Sequence, residues 1–135
     1  MNASTHASFS DALSLYNRGE YLDCQETLEA VYAASDAKEQ PLVRAILQLA
    51  CGMHLHFNRG GGRGALNLFR QSLIALDDFR PRYLGVETDE LYEALDAYLQ
   101  ELQERRKPGA NFFDRWLAPR IRFATGVGSQ GSGLG

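Results

Sequence analysis

Cysteine is scarce in this chain: Cys24 and Cys51 are the only two among 135 residues. They form no CxxC pair and have no zinc-ligand spacing around them, so they read as small buried thiols and argue against a disulfide. Long apolar runs are missing as well. No stretch reaches the roughly 18 residues that cross a bilayer, and residues 1–10 lack the basic start and apolar centre of a secretory signal. The expected compartment is therefore the cytoplasm. Signatures of chemistry are equally thin: there is no GxSxG, no HExxH and no GxxxxGK[ST], and no cysteine stands beside a histidine. The sequence leans away from an enzyme, and it calls for no metal and no cofactor.

A basic surplus is also lacking over most of the length. Residues 1–104 carry 16 acidic and 8 basic side chains, while residues 105–135 carry 6 basic and 1 acidic. Phosphate recognition needs a basic face, so a body of this sign argues against nucleic acid as a ligand. Only the C-terminal part has the charge to seek anions. At 44% hydrophobic and 23% charged, the chain as a whole has the composition of one folded domain with a real core.

What is present is a repeat. Leu15-Tyr16-Asn17-Arg18-Gly19 and His56-Phe57-Asn58-Arg59-Gly60 stand 41 positions apart, and each precedes an amphipathic helical pattern. In each, an aromatic residue closes a helix and Asn and Gly supply the left-handed exit. A small residue, Cys24 or Ala65, then falls where two helices approach. Two stacked helical hairpins follow, in an all-α bundle of five to six helices that resembles tetratricopeptide hairpins.

The periodicity predicts a short first helix capped by Ser8 or Ser10 and ending at Tyr16, and a second from Tyr21 to about Ser35. A third runs from Pro41 to Phe57, apolar nearly all round and therefore central. Gly60-Gly61-Gly62 ends it, and Ala65, Leu66, Phe69, Leu73 and Leu76 mark a fourth. Phe79-Arg80-Pro81-Arg82 breaks the chain, and Thr88 opens a fifth helix that stops near Arg105-Arg106-Lys107, before Pro108-Gly109. The bundle is thus expected over 1–107, an aromatic and basic segment over 108–123, and a disordered Gly- and Ser-rich tail over 124–135.

Two groups of residues are candidates for function. Gln25, Glu26 and Glu29 on the second helix face Arg44, Gln48 and His54 on the third, a set able to form a polar cluster between them. The bland reading is a structural network in which Glu26 or Glu29 pairs with Arg44 and Gln48 caps a backbone group; the sharper one is a small-molecule or hydrolytic site. The other group is Phe112, Phe113, Arg115, Trp116, Leu117, Arg120, Ile121, Arg122 and Phe123. This stretch either folds back on the acidic body or projects to meet a partner. A partner protein is favoured over a lipid surface, because Pro119 interrupts the helix that would lie flat.

The run Tyr16 to Glu29, with Ile46-Leu47-Gln48-Leu49-Ala50 and Arg63-Gly64-Ala65 downstream, resembles the domain-of-unknown-function family 309 over about residues 12–80. The family's histidine in the first motif is Gln25 here, and its tryptophan is Tyr32. The first Gln and Gly of its second motif are Arg44 and Ala45, and either His54 or His56 stands for its second histidine. The resemblance implies a compact helical bundle and no activity that can be carried over.

Overall fold

A computed structural model describes residues 1–105 and 114–124. Six helices occur among them: α1 (Ala3–Asn17), α2 (Tyr21–Ala34), α3 (Gln40–Asn58), α4 (Arg63–Asp77), α5 (Thr88–Gln103) and the single turn α6 (Asp114–Leu117). The only extended pairing among the described residues is two isolated bridges, Tyr83 with Val86 and Val86 with Phe123. The all-α expectation stands. The expected tail beyond Ala124 lies outside the described residues.

The glycines of both repeat turns behave as expected, but Asn17 and Asn58 do not share the left-handed exit: each is the last residue of its helix. Gly19 and Gly60 take φ of 80° and 88°, so each helix exits through a left-handed residue that only glycine adopts without strain. Cys24 and Ala65 are both buried. The second turn is longer, since Gly61 and Gly62 also have positive φ before α4 starts. The two turns meet in space: Tyr16 packs edge-on against Tyr21 at 5.3 Å, and Tyr21 stacks on Phe57 at 5.9 Å.

One boundary departs from expectation. The first helix begins at Ala3 rather than near Ser8, because the Asn2 side chain accepts the Thr5 amide at 2.8 Å and acts as the cap. Thr5, Phe9, Ala12, Leu13 and Tyr16 then form one buried stripe, to which the added N-terminal residues contribute Thr5. Before α3, Asp36 and Glu39 cap each other's backbone amides, both at 3.0 Å, and Pro41 follows in the first turn.

Helices α1 to α5 pack chiefly in chain order, each on the one before. In α3 the side chains of Leu42, Val43, Ala45, Ile46, Leu49, Ala50 and Met53 are buried, as a helix flanked by α2 and α4 requires. The α3–α4 seam is tightest at Gly52, where a Cβ would stand 2.6 Å from Phe69 Cε1. Ser72 seals the same seam by donating to the Ala45 carbonyl at 2.8 Å.

Candidate functional site

The six polar residues expected between α2 and α3 are separated by the packing. Glu26 and Glu29 are exposed. Arg44 donates to the Tyr32 hydroxyl at 3.0 Å and lies over its ring, while Gln48 reaches across to Gln71 of α4 at 3.1 Å. His54 pairs with Asn58 one turn along its own helix. Gln25 faces Cys51, and its Oε1 is buried without a partner. Among the described residues no hydrogen bond or ion pair joins any two of the six. The expected pairing of Arg44 with Glu26 or Glu29 is replaced because Tyr32, eight residues before Gln40, offers Arg44 both a hydroxyl and an aromatic face.

The C-terminal segment, over 114–124, returns to the body. The Tyr16 hydroxyl donates to the Pro119 carbonyl at 2.7 Å. The Asn17 carboxamide donates to the Ile121 carbonyl and accepts the Ile121 amide, each at 2.8 Å. Arg120 donates to the Asn17 carbonyl at 3.1 Å, Glu87 N–H donates to Arg122 O, and Ala124 N–H donates to Gly85 O. Arg122 pairs with Glu90, Ile121 is buried and Phe123 half-buried. Basic residues thus answer the acidic body. Trp116 and Leu117 differ: they are 75% and 55% exposed. Arg115 beside them lies 4.8 Å over the Phe57 ring. Phe112 and Phe113 lie outside the described residues.

A third arrangement was not singled out from the sequence. His56 Nε2 meets Asp114 Oδ2 at 2.9 Å, and Arg105 grips both oxygens of the same carboxylate, with Nη1 at 2.8 Å from Oδ2. Both His56 and Asp114 are removed from water. The charge of Asp114 is answered by the bidentate guanidinium, the geometry that makes a buried carboxylate tolerable. Burial holds the His56 imidazole below its ordinary value, outweighing the opposing pull of Asp114. In the neutral ring Nε2 must carry the proton toward the acceptor-only carboxylate, which leaves Nδ1 with the lone pair. The one available signal was Asp114 itself, the single acid among residues 105–135.

Above this pair opens a cavity of about 390 Å³, lined by His56, Gly62, Ala65, Leu66, Arg70, Leu102, Gln103 and Arg105. Arg70 donates to Asn67 Oδ1 at 3.1 Å. With its oxygen turned to Arg70, the Gln103 carboxamide accepts from Nε and an Nη at 3.2 and 2.8 Å. Among the described residues no group of His, Cys, Asp and Glu is arranged to hold a metal ion, and no helix is long and apolar enough to cross a membrane.

None of the curated proteins compared with the chain matches it. Residues 9–68, from α1 into α4, match the family model described as Domain of unknown function (DUF309), the family that the Tyr16–Glu29 motif resembles.

Proposed function

We propose that this chain is a helical protein-interaction module that docks a partner protein through Trp116 and Leu117. The observation that supports this reading is the exposure of two large apolar side chains on a turn anchored from both sides. On one side Asp114 is clamped by Arg105 and His56; on the other, Pro119 and Ile121 are tied to Tyr16 and Asn17. Exposed apolar side chains on a held backbone cost little entropy to bind, and aromatic anchors of this kind dominate interface energetics. With exposed Arg115 and Arg120 beside them, the matching surface is an apolar pocket with an acidic rim.

A photo-reactive residue placed at Leu117, with a matched control at exposed Ile74, tests this in the native cell. Adducts to one defined protein from position 117, lost on Trp116→Ala and missing from position 74, are the expected result. Equal labelling from both positions, or none from 117, would sink the reading. Because Trp116 is the single tryptophan, its emission separates the rival lipid reading. A blue shift on anionic vesicles alone would favour a membrane surface.

A further inference from the structure

We propose that the cavity between α3, α4 and α5 binds a small organic anion, with its charged group at Arg70 and the start of α4 and its apolar body against Leu66 and Leu102. The argument begins with charge. Arg70 lines the cavity, and its partners are two neutral carboxamides, Asn67 and Gln103. Among the described residues it has no carboxylate. The other lining cation, Arg105, is already paired with Asp114 and stands 3.7 Å from Glu101. His56, at the cavity's buried end, is held toward its neutral form. Of the two guanidiniums lining the cavity, Arg70 is therefore the one that no described carboxylate answers.

The start of α4 adds to it. Gly62, a cavity residue, is the N-cap; it has no side chain to accept an amide, and no acid occupies the first turn. The first helical hydrogen bond there runs from Leu66 N–H to Gly62 O at 3.1 Å, so the amides of residues 63–65 precede it. An oxyanion satisfies such amides and the helix dipole together, whereas Arg63 in that turn worsens the local excess of positive charge. Shape supplies the rest. A volume of about 390 Å³ lies in the range of ligand sites, and Ala65, Leu66 and Leu102 give it an apolar side that a bare inorganic ion would leave unused. Gln103, its oxygen taken by Arg70, keeps its amide donor to orient a second polar group. This inference is independent of the docking surface at Trp116.

Amide and arginine Nε–H NMR titration of the full chain with benzoate, phenyl phosphate, inorganic phosphate and neutral benzyl alcohol tests it. Saturable shifts at residues 62–66, Arg70 and Gln103 are expected with benzoate or phenyl phosphate, and which of the two binds tighter separates a carboxylate from a phosphate ligand. Arg70→Gln should weaken binding about tenfold or more, with Arg70→Lys between it and the parent, because a guanidinium holds an oxyanion through two bonds. Arg70 is exposed, so these variants should fold. The proposal is overturned by equal binding of benzyl alcohol, by equal binding of inorganic phosphate, by shifts spread over Arg18 and Arg82 instead, or by no saturable shift with either aromatic anion.

Discussion

His56 and Asp114 meet at 2.9 Å with both side chains out of water, joining α3 to α6. Burial lowers the imidazole's proton affinity from its ordinary value of 6.5. The unfolded chain therefore binds this proton first. The contribution of neutral His56 is complete above pH about 6.5 and is lost as pH falls below that through the folded value. The urea midpoint should drop as pH is lowered from about 7 to about 5, and His56→Gln should flatten that slope while lowering the plateau. A midpoint that rises on acidification would show that the folded state holds His56 charged.

Gly52→Ala should destabilise the protein. Alanine is favoured over glycine inside a helix by about 1 kcal/mol, but the new methyl would fall 2.6 and 2.8 Å from two atoms of the buried Phe69 ring. Overpacking of this kind costs about 1–3 kcal/mol, so the clash should win. A variant more stable to urea than the parent would mean that α4 slides away at no cost.

Leu49→Ala and Glu26→Gln should bracket the range of effects. Leu49 is fully buried in α3, and its truncation should cost about 2–5 kcal/mol. Glu26 is exposed and makes no hydrogen bond or ion pair among the described residues, so Glu26→Gln should stay within about 0.5 kcal/mol. A large loss from Glu26→Gln would restore the structural network that the α2 and α3 motifs suggest.

Asn17→Ala should release residue 121 from the body. Two hydrogen bonds, each worth about 1 kcal/mol, are lost, and the left-handed exit at Gly19 is untouched. Hydrogen exchange at the Ile121 amide should accelerate far more than exchange in α3. Unchanged protection at Ile121 would show that the Tyr16 and Glu90 contacts hold the segment by themselves.

These residues also mark how far the sequence could be read. The helix exits at Gly19 and Gly60 were legible because one residue type in one conformation accounts for them. Asn17 was not legible: the turn motif assigned it a left-handed exit, whereas it ends α1 and its carboxamide holds Ile121, 104 residues away. Asp114 was hidden for a similar reason. One acid among six bases looks like a minor term, yet its meaning depends on His56 and Arg105, which only the packing brings to it. For the α2–α3 polar set, spacing could not show the competing acceptors, Tyr32 for Arg44 and Gln71 for Gln48. Asn2 gave no clear signal as a cap because Ser8 and Ser10, equally good capping residues, stand closer to the apolar positions of α1.

Five helices that touch mainly their neighbours in sequence form a line, and a line has two ends at which unfolding starts cheaply. Residues 119–124 change the connectivity. Pro119 and Ile121 are tied to the end of α1, and Arg122 and Ala124 to Glu87 and Gly85 before α5. The line becomes a ring, in which the first hairpin cannot open without also breaking contacts made by the last described segment. Fraying is thereby turned into a cooperative event: the terminal helix α1 shares the fate of the core, and a cut in the return strap would give α1 back the freedom of an end.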